Sequence, residues 1–140
     1  MALSVLFAVL MWFLPGILAI VIPGVWIVTT LLASVGGEFC LAGVLEFRSA
    51  KTTLNPVNPD ASTVLVVRGI YRLTRNPMYL GFALLLFAFA VWLGKMSAML
   101  LVPLFMTYLQ QFQIRPEEDA LHVRFGASFD AYRQQVRRWL

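Results

Sequence analysis

Two short stretches of the sequence carry side chains that could bind a small polar ligand. The first reads RNPMY, residues 75–79, and lies between a polar segment and a long apolar run. Asparagine is a good helix N-cap and proline suits the first helical position, so this stretch predicts a helix start. The free N–H groups of a helix start, together with Arg75, also favour an anionic ligand group. The residues alone leave both interpretations open, a simple helix start and a ligand site.

The second stretch reads RPEED, residues 115–119. Pro116 at the first helical position, followed by three carboxylates, suits the N-terminal end of a helix dipole. Three carboxylates are nevertheless unexpected next to a membrane surface, which tends to be anionic. They can accept hydrogen bonds from an amine or from ribose hydroxyls, and Arg115 can bind a carboxylate through two hydrogen bonds. This stretch is therefore a second candidate for ligand binding.

Other kinds of site find little support. His122 is the single histidine and Cys40 the single cysteine, so the sequence predicts no metal site and no internal disulfide. The sequence has no G-x-S-x-G, no P-loop and no G-x-G-x-x-G after a strand. Little of the chain can form the basic soluble face of a nucleic-acid binder, so no such partner is expected. Glu38 lies within an apolar run and is a functional candidate by default, but Gly36 and Gly37 beside it favour a structural role.

The composition predicts a membrane protein that positions these stretches on helices. The chain has 140 residues, which favours a single domain, and 60% of them are hydrophobic. A membrane-spanning helix needs about 20 apolar residues. We therefore expect an all-α integral membrane protein with about four transmembrane helices, near residues 2–20, 24–47, 78–93 and 96–113. The last two are slightly short, which local thinning of the bilayer would accommodate.

Charge and periodicity describe the rest of the chain. Ten of the eleven Lys and Arg residues lie either between the second and third predicted helices or within residues 114–140. Lys95 is the exception. The positive-inside rule then places the segment between those helices, residues 114–140 and both termini in the cytoplasm. After Gly126, apolar residues recur at Phe129, Tyr132, Val136 and Trp139, which predicts an amphipathic helix on the headgroup surface or packed on the protein.

Taken together, these stretches resemble one enzyme family, the isoprenylcysteine carboxyl methyltransferase and phospholipid methyltransferase group. The resemblance covers residues 63–140 and depends on an ordered series of short motifs. TTLNP at residues 52–56 also looks typical of bacterial members, and this resemblance implies a bacterial inner membrane as the location. The matching residues are Gly69 and Tyr71; Arg75, Asn76, Pro77 and Tyr79; Glu117, Glu118 and Leu121; and Phe125, Gly126 and Tyr132.

The resemblance implies a methyltransferase that binds S-adenosyl-L-methionine without a Rossmann fold, in a pocket built from residues 63–81 and 113–140. It implies that Arg115 and Glu118 face the cofactor or the acceptor and act in catalysis, with no metal. If the acceptor is an amine or a thiol, Glu118 or a water molecule must take a proton, and Tyr79 would pack near the sulfonium. The implied cofactor-binding residues are Thr63, Val64, Leu65, Val66, Tyr71, Arg75, Asn76, Pro77, Met78, Tyr79 and Glu117.

The implied acceptor is a lipophilic small molecule or a membrane lipid that enters from the bilayer, while the cofactor enters from the cytosol. The reactive group of the acceptor is a carboxylate, an amine or a thiol. Two positions depart from the eukaryotic carboxyl methyltransferases, because Asn76 replaces a histidine and Gln113 aligns with an arginine. Both departures weaken the case for a prenylcysteine carboxylate as the acceptor. The alternatives are a phospholipid amine N-methyltransferase and a non-enzymatic membrane protein that keeps the fold; the oligomeric state stays open.

Overall fold

The fold is helical throughout the part of the chain that the computed structural model describes, residues 1–49 and 65–140. Those ranges contain no β-strand beyond one isolated bridge between Ala19 and Lys95, so the all-α prediction is confirmed. A 3₁₀-helix covers Gly69–Arg72 and a π-helical turn covers Gln110–Ile114. The α-helices are α1 (Ala2–Phe13), α2 (Val25–Ser49), α3 (Pro77–Leu93), α4 (Met96–Leu109), α5 (Arg115–Phe125) and α6 (Ala127–Gln135).

The described residues form two compact units. The first comprises Met1–Glu38 and Gly81–Tyr108, and the second comprises Phe39–Leu80 and Leu109–Leu140. Among the described helices, only α2 is clearly long and apolar enough to cross a membrane: it has 25 residues, and its most apolar 18-residue window has a mean hydropathy of 1.7. α1 and α3 are apolar but shorter. One candidate span is thus found, and the four-span arrangement and the single domain stay predictions.

The first helix is shorter than the predicted range 2–20. α1 ends at Phe13, and Leu14 has extended dihedral angles, φ −65° and ψ 130°. The cause is Pro15, because a proline disfavours the helical conformation of the residue before it. The chain from residue 14 onward instead lies against the turn between α3 and α4: the N–H of Ile20 donates to the carbonyl of Gly94 at 2.7 Å.

The turn between α3 and α4, in the first unit, explains the isolated charge of Lys95. Gly94 adopts φ +62°, which favours glycine, and ends α3. The Nζ atom of Lys95 donates to the carbonyls of Trp12 and Leu14 at 3.0 and 3.2 Å. Since the last carbonyls of a helix have no partner within it, Lys95 caps the C-terminal end of α1.

Glycines of α2 let α3 approach closely within each unit. In the first unit, a Cβ on Gly36 would lie 3.0 Å from the carbonyl oxygen of Gly81, and in the second a Cβ on Gly43 would lie 2.7 Å from Cγ of Met78. α2 continues through Gly36 and Gly37 without interruption. Glu38 is exposed, and within the described residues no contact assigns it a role.

Two boundaries in the second unit also differ from expectation. The fourth helix was expected to reach residue 113, but α4 ends at Leu109 and the π-helical turn leads directly into α5. Gly126, at φ +50°, separates α5 from α6 as predicted. The amphipathic helix predicted to include Trp139 ends at Gln135, and Val136 is extended, φ −123° and ψ 132°. The segment after Gln135, called the C-terminal tail from here on, leaves the helix because its backbone carbonyls accept hydrogen bonds from residues 74–76.

The core of the second unit forms around the apolar face of α6. Phe129 and Tyr132 lie on that face, and the side chain of Val136 remains buried beside them despite the end of the helix. Val66 and Tyr71 complete this cluster. The amphipathic pattern therefore packs on the protein, which is one of the two outcomes it predicted.

Candidate functional site

The start of α3 is held by a hydroxyl and by the C-terminal tail. The backbone N–H of Asn76 donates to the Thr74 hydroxyl at 3.2 Å, while that hydroxyl donates to the carbonyl of Arg138 at 3.1 Å. The side-chain amide of Asn76 donates to the same carbonyl at 3.1 Å. Asn76 therefore anchors the tail in this structure, and Pro77 follows as the fully buried first residue of α3. A helix start is confirmed at this point.

Glu118 lies between two arginines. Its Oε1 atom is 3.1 Å from Nη2 of Arg75 and accepts from Nε of Arg138 at 3.2 Å. Its Oε2 atom accepts from Nη2 of Arg138 at 2.6 Å. The side chains of Glu118 and Arg75 are 9% and 10% exposed, so water screens this ion pair little. The two guanidinium groups fix the carboxylate in one orientation.

The two arginines differ in their environment. Burial lowers the pKa of Arg75, and the carboxylate of Glu118 opposes that shift. The hydrogen bond to Glu118 raises the pKa of Arg138. Nε of Arg75 is buried and has no hydrogen-bond partner among the described residues. Because an unpaired buried donor costs free energy, this atom marks a place where a polar ligand atom would be stabilising.

Glu117, the neighbouring carboxylate, is bound by different partners. Its Oε1 atom accepts from the hydroxyl of Tyr79 at 2.6 Å and from the side-chain amide of Gln113 at 3.0 Å. Burial raises the pKa of Glu117, while these two hydrogen bonds lower it and the charge of Glu118 raises it further. Its Oε2 atom accepts no hydrogen bond from the described residues. This oxygen is available to a donor such as an amine or a hydroxyl.

Tyr71 supports the site from the core. The hydroxyl of Tyr132 donates to the backbone carbonyl of Tyr71 at 2.7 Å, and the ring of Phe47 packs edge-on against Tyr71 at 5.3 Å. Burial raises the pKa of both tyrosines well above the usual range, so both hydroxyls stay protonated. Val66 is buried in the same cluster and Leu65 packs against it. Of these predicted pocket residues, Tyr71 and Val66 are core residues of the second unit, and Leu65 is partly buried against that core.

The remaining predicted residues are placed less centrally. Arg115 is exposed and donates to the side chain of Gln111 at 2.6 Å, so it does not join the ion pair around Glu118. Met78 packs against Gly43. Thr63 and Val64 lie outside the described residues. The roles assigned to these residues in ligand binding stay predictions.

Three further residues belong to the arrangement but were not singled out in the sequence. In the sequence, Arg138 is only one of the basic residues near the C-terminus, and Thr74 belongs to no motif. Gln113 was noted only as a departure from a family pattern. No local signal identifies Arg138, because its partner Glu118 lies 20 residues earlier in the chain. A prediction of the extended tail would have been needed to find it.

Chemically, the arrangement is a row of polar groups brought together from distant parts of the sequence. Tyr79 and Glu117 are 38 residues apart in the chain and share a hydrogen bond. Among the described residues, the groups offer a carboxylate oxygen of Glu117 without a hydrogen-bond donor, a fixed carboxylate at Glu118 and an unpaired donor at Arg75. Within the described residues, no group of three or more His, Cys, Asp or Glu side chains could hold a metal ion. Binding and orienting a polar ligand is what these groups can do.

Comparisons with known proteins give one family match and one similar protein. The family model described as "Phospholipid methyltransferase" matches residues 14–128 of the chain. A protein of Haemophilus influenzae that bears the name "Uncharacterized protein" is 46% identical over 63 residues, which are 45% of this chain and all of that protein. No solved structure matches the chain. The range matched by the family includes both candidate stretches and ends before the C-terminal tail.

Proposed function

The chain belongs to the phospholipid methyltransferase family, and we propose that it is an integral membrane methyltransferase that uses S-adenosyl-L-methionine and acts on a lipophilic or membrane-resident acceptor. The family is one of membrane-associated methyltransferases. The observation that carries the proposal is the hydrogen bond between Tyr79 and Glu117. It joins the two stretches that were singled out as ligand-binding candidates, and the family match includes both.

The residues present fit the chemistry of this cofactor. S-adenosyl-L-methionine, when bound, supplies an electrophilic methyl group on a sulfonium. Its ammonium and ribose hydroxyls are donors, which the free Oε2 atom of Glu117 can accept. Its carboxylate is an acceptor, which suits the unpaired Nε atom of Arg75. Tyr79 fixes Glu117 and presents an aromatic ring, which attracts a cation.

Glu118 and Arg115 have separate proposed roles. Glu118 faces the acceptor, and its orientation is fixed by Arg75 and Arg138. With an amine or thiol acceptor, the new bond to carbon forms as the bond between sulfur and the methyl carbon breaks, and Glu118 or a water molecule takes the acceptor's proton. A carboxylate acceptor needs no base. Arg115, at the exposed start of α5, is proposed to meet an anionic group that arrives from outside.

Exposed apolar surface supports the membrane location. Only 11% of the most apolar window of α2 is buried. A soluble monomer rarely exposes so large an apolar surface. In the first unit, Trp12, Trp26 and Phe89 pack around Trp92 with ring centroids 5.8–6.4 Å apart. Aromatic clusters at helix ends are typical of the membrane–water interface.

We propose that the clustered arginines lie in the cytoplasm and that the chain crosses a bacterial inner membrane four times, with both termini inside. Alkaline phosphatase fused to either terminus should then be inactive, whereas green fluorescent protein at the same positions should fluoresce. An active phosphatase fusion at one terminus would overturn the four-crossing arrangement.

A second candidate is N-methylation of a phospholipid amine, which the description of the matching family favours. The test for both is the same. Detergent-purified protein is incubated with S-adenosyl-L-methionine labelled in the methyl group and a bacterial lipid extract, and label that partitions into organic solvent is measured. Incorporation into an aminophospholipid supports this second candidate, and incorporation into another lipid supports the broader proposal.

The variant to compare is Glu117→Gln, which keeps the shape of the side chain but removes its charge. It should transfer little label to the lipid. Absence of incorporation by intact folded protein with lipid, amine, thiol and carboxylate acceptors would favour a non-enzymatic membrane protein that retains the fold.

A further inference from the structure

The C-terminal tail contacts the candidate site at several points, although the family match ends at residue 128. The backbone N–H of Arg75 donates to the carbonyl of Arg137 at 3.0 Å. The indole N–H of Trp139 donates to the side chain of Gln110 in the π-helical turn at 3.3 Å. Between these contacts lies Arg138, whose backbone and side chain both reach the site.

Arg138 links the two halves of the site. Its carbonyl accepts from the hydroxyl of Thr74 and from the amide of Asn76, just before α3. Its guanidinium donates to both oxygens of Glu118 on α5. One residue of the tail therefore sets the position of the helix start and the orientation of the neighbouring carboxylate.

The geometry explains why Arg75 alone does not fix Glu118. Arg75 approaches only Oε1, at 3.1 Å, so the carboxylate could still rotate about its last bond. Arg138 contacts Oε1 and Oε2 together, and a two-point contact of this kind fixes the plane of a carboxylate. We propose that Arg138 is a positioning residue for methyl transfer: it holds the plane of the Glu118 carboxylate toward the acceptor. This inference rests on the proposed function.

A purely structural role, in which Arg138 only holds the tail against the protein, makes different predictions. Loosening the tail would disturb Thr74 and Asn76, and with them the proposed cofactor pocket. Loss of the guanidinium alone leaves the backbone carbonyl in place. A positioning role therefore affects turnover, whereas a structural role affects cofactor binding and turnover together.

The test compares Arg138→Gln with Arg137→Gln, a matched control that removes the same charge from the adjacent, exposed side chain. S-adenosyl-L-homocysteine affinity is measured by calorimetry, and turnover by transfer of labelled methyl groups to the lipid extract. We expect Arg138→Gln to reduce turnover about tenfold or more, while its affinity for S-adenosyl-L-homocysteine changes by less than about twofold, since a bidentate charged contact is worth more than about 1.4 kcal/mol. Arg137→Gln should match the wild type in both.

Two more variants test whether Arg138 acts through Glu118. Turnover of Glu118→Gln should not fall further when Arg138→Gln is added, because the positioned group is already lost. Arg138→Lys keeps the charge but not the two-point contact, so it should also reduce turnover.

Four results would overturn the inference: equal turnover in Arg138→Gln and Arg137→Gln, additive losses in the double variant, a loss of affinity that parallels the loss of turnover, or wild-type turnover in Arg138→Lys. If the wild-type protein does not bind S-adenosyl-L-homocysteine at all, the proposed function itself is overturned, and the inference with it.

Discussion

Replacing Tyr79 with phenylalanine removes the hydroxyl that donates to Glu117 at 2.6 Å and leaves the ring in place. A hydrogen bond to a charged group contributes about 1.5–3 kcal/mol, and one to a neutral group about 0.5–1.5 kcal/mol. The difference, about 1 kcal/mol, is the extra stabilisation of the ionised form of Glu117. Because the hydrogen bond from Tyr79 lowers the pKa of Glu117, Tyr79→Phe should raise that pKa further above its ordinary range.

The sign of the effect on stability follows from linkage. Burial already raises the pKa of Glu117 above its ordinary value of 4.5. The associated stability is fully present below the pKa of the unfolded chain and is lost as the pH rises through the higher pKa of the folded protein. Tyr79→Phe raises the pKa of Glu117 in the folded protein further, so the variant loses more stability than the wild type as the pH rises. The variant should therefore be destabilised more at about pH 8 than at about pH 4.5, by about 1 kcal/mol.

The assay is thermal unfolding in detergent at both pH values. For a chain of this size, about 1 kcal/mol corresponds to roughly 3–5 °C in Tm. The wild type, Tyr79→Phe, Glu117→Gln and the double variant are compared, and the extra loss at high pH should vanish in the Glu117→Gln background. A Tyr79→Phe effect that is equal at both pH values, or larger at low pH, would refute the assignment of this hydrogen bond to an ionising Glu117.

Three further predictions concern stability. Lys95→Met removes the cap of α1 and should lower the free energy of unfolding by about 1–2 kcal/mol, whereas retention of full thermal stability would show that the cap contributes little. Gly69 adopts φ +56° beside the side chain of Glu46, so Gly69→Ala should cost about 1–2 kcal/mol, and a neutral effect in the same assay would contradict this. His122 pairs with Asp130 on the surface at 3.1 Å, so His122→Ala should change the free energy of unfolding by less than about 1 kcal/mol, and a larger change would mean that the pair is not merely a surface contact.

Local signals predicted the helical elements well where one residue decides the conformation. Pro77 at the first helical position places the start of α3, and Gly94 and Gly126 place the ends of α3 and α5 because each has a positive φ. The end of α1 was missed because the sequence offers two breaks in this apolar run, Pro15–Gly16 and Pro23–Gly24, and the predicted range 2–20 ends between them. The structure assigns the helix end to the first break, where Lys95 supplies a partner from a distant part of the chain.

The residues of the site could be predicted from the sequence, but the contacts among them could not. The types and spacing of Arg75, Tyr79, Glu117 and Glu118 identified them as candidates, and the structure brings all four into one unit. The role of Arg138 depends on where an extended tail returns to the protein, and helical periodicity carries no information about that. The sequence also could not show that the side chain of Arg115 is exposed and contacts Gln111 rather than Glu118.

The central claim is that Glu117 and its partners form a site for S-adenosyl-L-methionine. Calorimetric titration of the detergent-purified protein with S-adenosyl-L-homocysteine tests it most directly, with Glu117→Ala as the variant and His122→Ala as the control. We expect saturable binding to the wild type and to His122→Ala, and its loss in Glu117→Ala while the fold is retained by thermal unfolding. A folded wild-type protein that shows no binding, or a Glu117→Ala variant that binds as tightly as the wild type, would contradict the account.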